Sequence, residues 1–514
     1  MSQRVGFALL LVSLAGPVRA QSQAPNAYQV LMYSAVQASG SAAGTVPSVY
    51  SYDGPSCTLP ASNCSQVTVP SSYKATPSIV GLSSALSSSI GTALSVIPIA
   101  SPASGVITQT DAATGAQLPA SSTLGPIFTE RGETIGRHRF YVGLSNQDFH
   151  FTSLNGQSLR ALTMLDPGGQ PTSITQTGLG IVNRFPTTFN ISADVRLSQN
   201  VAFLTYGVTS RIDVSVGLQV VHASISSQTS NGVNFAGNGN NNFVVNGQKQ
   251  GNCWCVDTFT PGLAPGANGA SLTSGLVLPQ INSSSYGTTG FGDMMLRFKG
   301  NIVERRNLSI AVGADLRLPT GNAQNFLGTG AVAVRPFLAA SLYTKALGHG
   351  LVLAPDLNVG WQVAGQSILA GQITATPLTT SSPTEYGPPF VTSKGYLPDV
   401  FSWAVGTELA LGRHQTIVAD ILGNEIGWLH GIPNTTAQAV SNVPLASAAA
   451  TPTTVTASGL VYAGHVSFGQ YSGAFGYKAR VLGNLVATFN MLVRFDSNGL
   501  KAKTVPLFGL GYTF

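Results

Sequence analysis

The sequence has little charge. Only 9% of its 514 residues are Asp, Glu, Lys or Arg, yet the mean hydropathy is just +0.21 and 58 residues are glycine. The surface must therefore be rich in Ser, Thr, Asn and Gly, or part of it must face something other than water. The net charge of +6 is small and scattered, which argues against a nucleic-acid partner, because binding phosphates requires a concentrated basic surface.

Long hydrophobic runs are missing after the N-terminus. In the opening stretch "MSQRVGFALLLVSLAGPVRAQ", Arg4 precedes an apolar run from Val5 to Leu14, and a small-residue site ends at Ala20. This pattern predicts a secretory signal peptide over residues 1–20, cleaved after Ala20. The run is shorter than the about 20 residues that a helix needs to cross a bilayer. We therefore expect no helical membrane span.

Catalytic motifs are also lacking. No GxSxG, HExxH or P-loop pattern occurs, and the seven histidines are scattered. Ser71 and Lys74 have SxxK spacing, but no companion motif follows. We predict no catalytic residue, no metal, no cofactor and no enzymatic activity.

Cysteines are few, namely Cys57, Cys64, Cys253 and Cys255. In an exported chain disulfides are the default expectation. Cys57 and Cys64 could close a small loop, whereas the Cys253–Cys255 spacing is tight for a mutual bond, so a bridge from this loop to the N-terminal region stays open. A metal site is disfavoured, because neither pair has a histidine nearby.

Residues 21–136 are rich in Ser, Ala, Pro and Gly and show little period-two patterning. One stretch has an apolar stripe with the three- and four-residue steps of a helix, formed by Ile79, Leu82, Leu86, Ile90, Ala93 and Ile97. Its other face is almost all Ser and Gly, so we expect this helix to dock against protein. The region is predicted to be a lumenal plug or a periplasmic segment, with a surface passenger as the other possibility.

From residue 137 onward the sequence alternates strictly between apolar and polar positions. In "TTFNISADVRLS" the odd positions from Phe189 to Leu197 are apolar and the even positions are polar. Such alternation indicates strands with two unlike faces. The strands run ten residues or more, near the length of a tilted membrane strand.

The charges in these strands follow the same alternation. A Lys or Arg on the lipid face near the bilayer midplane costs roughly 2–4 kcal/mol, so this sorting predicts a charged lumen. It could set modest selectivity or consist only of structural salt bridges and solvated wall. The predicted pore-lining residues are Asp194, Arg196, Arg297, Lys299, Asp315, Arg317, Arg335, Asp356, Glu408, Asp420, Lys478, Arg480 and Arg494.

Short and long connections alternate along residues 137–514, as in outer-membrane barrels with periplasmic turns and external loops. The sequence thus predicts an all-β fold, a transmembrane antiparallel up-and-down β-barrel with long extracellular loops. If 187–208 is one strand, the barrel has about twelve strands. If residues 198–200 form a turn, another strand must lie in 152–186 and the total is about fourteen.

The chain ends in "TVPLFGLGYTF", where Phe508, Leu510 and Tyr512 alternate with small or polar residues. Backbone groups in hydrocarbon must all be paired, so the last strand is predicted to pair with the first and close the cylinder. The ending also resembles the terminal signal by which bacterial outer-membrane proteins are recognised for assembly, with Gly509, Tyr512 and Phe514 at its main positions. This resemblance implies the outer-membrane assembly machinery and outer-membrane lipid as partners.

Pro336 and Pro355 lie inside neighbouring predicted strands, and neither can donate a ladder hydrogen bond. We expect each to mark a kink or bulge. The kink could let an apolar solute leave sideways, or it could be a harmless bulge.

Three stretches resemble the outer-membrane family described as a putative meta-pathway of phenol degradation, which is related in architecture to FadL-type channels. They are "YGVTSRIDVSV" (Tyr206–Val216), "GFGDMMLRFK" (Gly290–Lys299) and "LPTGNAQNFLGTG" (Leu318–Gly330). The resemblance covers residues 187–514 and implies passive passage of small, hydrophobic or aromatic solutes across the outer membrane. The alternative is a surface adhesin or anchor that presents the Asn/Gly-rich loop 223–287.

Overall fold

The structure is a computed structural model of the whole chain. It describes residues 49–52, 64–67, 77–101, 108–110, 117–119, 123–176, 179–232, 243–245, 248–250, 254–256, 280–305, 307–344, 351–371, 373–374, 391–412, 414–430, 433–443, 453–462 and 465–514. The predicted signal peptide lies outside the described residues.

The alternating part of the sequence forms a closed antiparallel barrel of twelve strands. The barrel strands are β1 Phe140–Leu154, β2 Leu179–Gly207, β3 Ile212–Gly232, β4 in two segments Gln280–Phe291 and Met294–Arg305, β5 Leu308–Leu318, β6 Ala333–Leu342, β7 Leu351–Ala364, β8 Val400–Leu411, β9 Gln415–His430, β10 His465–Leu482, β11 Leu485–Arg494 and β12 Thr504–Thr513. The predicted fold class is confirmed. β2 is one continuous strand, so the count is twelve and not fourteen.

The seam of the barrel lies between β12 and β1. Leu510 faces Leu144 in the register, and the Phe514 backbone N donates to Phe140 O at 2.8 Å. β12 also pairs along its length with β11. The last strand therefore closes the cylinder, as the chain ending predicts.

The outer surface of the barrel is apolar. Each strand exposes a large hydrophobic side chain, namely Leu144, Leu204, Leu218, Phe298, Val312, Leu338, Leu357, Val405, Ile421, Phe475, Phe489 and Phe508. On β3 the exposed Ile212, Leu218 and Val220 alternate with the buried Asp213 and Gln219. The outward apolar run from Ile212 to Val220 matches the about 9–11 residues of a tilted membrane strand.

The two rims of the barrel differ. At one rim, called here the short-turn rim, β2 ends and β3 begins, and the same holds for β4 and β5, β6 and β7, β8 and β9, and β10 and β11. β1 also begins there and β12 ends there. The opposite strand ends form the other rim, called here the long-loop rim. There the strand Leu162–Gln176 pairs with the first half of β2, and Pro433–Val443 pairs with Thr453–Tyr462.

The helix α1 (Pro77–Val96) packs inside the long-loop half of the barrel. Its residues Leu86, Ile90 and Ala93 join one apolar cluster with inward residues such as Phe151 and Ile191. Each fully buried Leu or Ile contributes roughly 1.5–3 kcal/mol. The serines on its other face, Ser87, Ser88, Ser89 and Ser95, are buried as well, so the predicted helix and its docking against protein are confirmed.

Among the described residues, the further helical elements are three one-turn 3-10 helices, Leu159–Ala161, Ala323–Asn325 and Ile368–Ala370. Within the described part of the chain, no helix has both the length and the apolar character needed to cross a membrane.

Outside the barrel, the backbone brings two cysteine-containing regions into one small sheet. Val49–Tyr52 pairs with Cys64–Val67 on one side and with Trp254–Val256 on the other. The strand Trp254–Val256, which contains Cys255, is thus adjacent to the N-terminal region. Cys57 and Cys253 lie outside the described residues, so the disulfide pairing stays a prediction. The remaining short strands are Thr108–Thr110, Gln117–Pro119, Gln157–Ser158, Phe243–Val245, Gln248–Gln250, Gln366–Ser367, Ile373–Thr374, Val391–Thr392, Gly395–Tyr396 and Leu500–Ala502.

Candidate functional site

Residues 123–136 run through the barrel interior near the short-turn rim, and we call them the lumenal segment. The segment has no regular secondary structure, so its backbone N–H groups need partners from the wall. Leu124 N donates to Thr416 Oγ1 at 3.0 Å, and Ile135 N donates to Asp213 Oδ2 at 2.9 Å. Gly132 N donates to Ser341 Oγ at 3.0 Å. Side chains from β9, β3 and β6 thus hold one piece of chain across the bore.

Glu130 anchors the middle of the lumenal segment. Its Oε1 lies 2.8 Å from Lys299 Nζ, and its Oε2 lies 2.7 Å from Arg297 Nη1. Oε2 also accepts a hydrogen bond from Ser101 Oγ at 2.7 Å. Burial raises the pKa of Glu130, but the neighbouring Lys299 and Arg297 cations outweigh it and hold the pKa below its usual value. Glu130 is therefore a carboxylate that binds two cations of β4.

Arg131 pairs with Glu408 of β8, four strands around the barrel from β4. Arg131 Nη2 lies 2.6 Å from Glu408 Oε2, Arg131 Nε donates to Glu408 Oε1 at 3.1 Å, and both side chains are 0% exposed. Thr123 Oγ1 accepts another hydrogen bond from the guanidinium. Two adjacent residues of opposite charge therefore attach the lumenal segment to β4 and to β8.

Further polar side chains from β9 and β10 hold the same segment. Asp420 Oδ2 accepts from Phe128 N at 3.2 Å, and Lys478 Nζ donates to Pro126 O at 2.5 Å. Both side chains are buried. The charged interior is thus organised around the lumenal segment.

Above the lumenal segment, Asp315 of β5 bridges two arginines. Arg297 Nε lies 2.6 Å from Asp315 Oδ1, and Arg335 Nη2 lies 2.6 Å from Asp315 Oδ2. Both guanidinium groups lie over the Phe337 ring, with centroid distances of 5.2 and 5.9 Å. These groups line a cavity of about 130 Å³ between the end of α1 and Glu130.

Most of the predicted pore-lining residues lie inside the barrel. The buried ones are Arg297, Lys299, Asp315, Asp356, Glu408, Asp420 and Lys478, with Arg317 and Arg335 partly exposed to the cavity. Asp356 accepts from Ser341 Oγ at 2.5 Å. Arg480 lies two residues beyond Lys478, toward the short-turn rim, where its backbone N donates to His414 O at 2.8 Å.

Arg494 has a different place from the one expected. It ends β11 at the long-loop rim, where its Nε lies 3.0 Å from Asp496 Oδ2 and its Nη2 donates to Asn498 O at 2.6 Å. The side chain therefore fixes the 495–499 connection. It is not part of the network around Glu130.

Asp194 and Arg196 also differ from the expectation, because they lie on the outer face of β2. Arg196 Nε lies 2.9 Å from Asp194 Oδ1, and the Arg196 side chain is 57% exposed. The opposite face, with Ile191 and Val195, points inward and packs in the cluster around α1. This half of β2 lies beyond the band of exposed hydrophobic side chains around the barrel, which we call the apolar belt. Its outer face is therefore polar. Its inner face is apolar because it encloses α1.

The two strand prolines cause no register shift. Both lie on outward-facing positions, and β6 and β7 keep one register from Ala333–Ala364 to Ser341–Asp356. Pro336 has no pairing partner in the neighbouring strand β7. The ladder is interrupted there without a bulge, and an exit for solutes at this point stays a prediction.

Sequence reasoning missed Glu130, Arg131 and Asp213. Asp213 obeys the alternation of β3 but was not singled out. Glu130 and Arg131 belong to "TLGPIFTERGETIG", a charged stretch at the end of a region with very few charges. That contrast was the available signal.

Grouped metal ligands are not found in the described part of the chain, where no three His, Cys, Asp or Glu side chains are arranged to hold an ion.

No family model and no curated protein matches this chain, so the resemblance to the phenol meta-pathway family is not confirmed. Among solved structures, an outer membrane channel from Pseudomonas putida F1 is 11% identical with a TM-score of 0.36, covering 74% of this chain and 97% of that chain.

Two further solved structures are a Pseudomonas aeruginosa FadL homologue and the Ralstonia pickettii toluene transporter. The first is 11% identical with a TM-score of 0.26, covering 73% of this chain and 90% of that chain. The second is 10% identical with a TM-score of 0.25, covering 74% and 90%. Similarity at this level transfers no solute to this chain.

Proposed function

We propose that this chain is a bacterial outer-membrane channel for passive uptake of small solutes, with the lumenal segment closing its bore. One observation carries the proposal: a closed barrel with an apolar exterior holds a charged interior that is spanned by a segment of its own chain. The short-turn rim faces the periplasm and the long-loop rim faces outward.

The exterior supports the membrane location. A large hydrophobic side chain on every outer strand face would be costly in water, whereas a bilayer buries it. The closed ladder leaves no strand edge unpaired in hydrocarbon, as a membrane requires.

The interior supports a closed resting state. Glu130 binds β4 and Arg131 binds β8, and both lie on a segment without helical or strand structure of its own. Such a segment can leave by exchanging wall hydrogen bonds for water, without unpairing the barrel. Most inward charges therefore act first as structural ion pairs that retain the segment, and solutes pass when it moves.

The test is conductance in planar bilayers together with solute uptake by liposomes. We expect the mature chain to give small or rare conductance steps. A variant lacking residues 21–136 should give larger and longer ones. Equal currents from the two proteins would contradict closure by the N-terminal region, and absence of both current and uptake from both proteins would contradict a channel.

A surface adhesin or anchor is the second candidate. It is favoured by the strands that extend past the apolar belt at the long-loop rim, above all β2 with 29 residues. Cells expressing a variant with 433–462 shortened should then lose attachment to surfaces while the purified barrel shows no conductance.

A further inference from the structure

The cavity beneath α1 has the lining of a site for a small organic anion. Its charged lining residues are Arg297, Arg317 and Arg335 against Glu130 and Asp315, which leaves one positive charge in excess. Its volume of about 130 Å³ is close to that of an apolar cavity of about 150 Å³ that holds one benzene molecule. A ligand with a single ring therefore fits.

Arg317 supplies the excess charge. Its Nη1 donates to Leu94 O at 2.9 Å, and no ion pair in the described part of the chain includes it. A guanidinium has five N–H donors, so one carbonyl leaves most of them available. By contrast, Arg297 and Arg335 are both bound to Asp315.

Gln362 is a second and independent sign of a missing ligand. The side chain lines the same cavity and is only 7% exposed, yet among the described residues its Nε2 has no hydrogen-bond partner. Buried polar groups in native proteins are nearly always paired. An unpaired donor that lines the same cavity as Arg317 calls for an acceptor, and a carboxylate is the strongest acceptor for such donors.

The rest of the lining suits a ring. Ile97, Phe128, Met295 and Phe337 contribute apolar surface to the cavity. A ligand with a carboxylate at one end and a ring at the other would satisfy both parts of this lining.

We propose that this cavity binds a small aromatic carboxylate, with Arg317 and Gln362 donating to its carboxylate and the ring against Phe128 and Met295. The inference rests on the proposed function and deepens it by naming a solute class. The carboxylate binds Arg317 beside the Leu94 carbonyl, so the ligand lies at the point that fixes the last turn of α1.

The test is isothermal titration calorimetry of the full mature chain in detergent with benzoate, and with benzyl alcohol as the neutral ligand of similar shape. We expect benzoate to bind at least tenfold more tightly than benzyl alcohol. Arg317→Gln should weaken benzoate binding at least tenfold, and Gln362→Leu should weaken it several-fold. Arg494→Gln, which removes an arginine at the rim, should leave it unchanged.

A retained β-sheet circular dichroism spectrum shows that each variant is folded. If Arg317→Gln does not fold, Gln362→Leu alone tests the site. No benzoate binding by the unaltered chain, equal affinity for benzyl alcohol, or unchanged affinity in the folded variants would overturn the site. Conductance without benzoate binding would reject this site alone. Binding without conductance or uptake would reject the channel alone.

Discussion

Arg131 and Glu408 form an ion pair of 2.6 Å in which neither side chain has any exposed surface. Arg131 belongs to the lumenal segment and Glu408 to strand β8, so this pair joins the lumenal segment to the barrel wall. Removing one member of a buried pair leaves the other charge without compensation, at a cost of roughly 3–5 kcal/mol.

Glu408→Gln should therefore loosen the lumenal segment. We expect larger conductance and faster cleavage by trypsin after Arg131, detected by mass spectrometry of the digested detergent-purified protein. Asp148→Asn is the matched control, because Asp148 is exposed on the outer face of β1. Equal cleavage and current in the two variants would show that the Arg131–Glu408 pair does not hold the lumenal segment in place.

Acid should release the segment through Glu130. Burial raises its pKa, but Lys299 and Arg297 outweigh this and keep the pKa below its usual value of 4.5. A carboxyl group with a lowered pKa stabilises the folded arrangement above its usual pKa, and this stabilisation is lost as the pH falls through the lowered value. The part of the conductance response that depends on Glu130 should thus be absent above about pH 5, and conductance should rise below that.

Glu130→Gln removes this charge at every pH. Its conductance should be higher than that of the unaltered chain at neutral pH and should rise less on acidification. The measurement is single-channel current at matched salt. A variant with the same neutral current and the same acid response would show that Glu130 does not hold the segment.

Gly132 lets the lumenal segment approach the wall. A Cβ added there would lie 2.4 Å from the backbone oxygen of Ser309, and a strand backbone cannot move away without breaking its ladder. Gly132→Ala should therefore displace the segment and raise uptake by liposomes. Gly300→Ala is the control, since its Cβ would meet no atom nearer than 4.0 Å, and its uptake should stay unchanged.

The outer face of β2 can be tested for its two environments. Leu204 is 48% exposed in the apolar belt, and a Lys or Arg near the bilayer midplane costs about 2–4 kcal/mol. Leu204→Arg should lower the free energy of unfolding in lipid by that amount. Arg196→Leu, on the same face but beyond the belt, should change it by less than about 0.5 kcal/mol. Urea unfolding in lipid vesicles measures the free energy of unfolding of both variants. A large decrease for Arg196→Leu would show that the apolar belt does not end where we place it.

The alternation of the sequence predicts the barrel strands, because a strand pattern depends only on neighbouring residues. The closing strand is predictable as well, because every backbone group in the membrane must be paired. The alternation favours one strand for β2, because the odd register runs from Phe189 to Phe203, and the structure shows that single strand. The alternation does not tell which face of β2 points inward. That depends on α1 filling the bore beside Ile191 and Val195, which is a contact between distant parts of the chain.

The interior shows the same limit. The inward position of Arg297, Lys299 and Asp315 follows from strand parity alone. Their partner Glu130 lies on a segment without periodicity, more than 160 residues away from Arg297 and Lys299 in sequence. Only the folded chain shows that these cations neutralise a carboxylate of the lumenal segment and do not line an open passage.

The seam between Phe514 and Phe140 has a consequence for biogenesis. The lumenal segment continues directly into the strand that begins at Phe140, so it is covalently joined to the wall before the final strand seals the cylinder. We expect newly inserted molecules to enter the lipid with their bore already occupied. The cell envelope would then never be exposed to a leak while this protein matures.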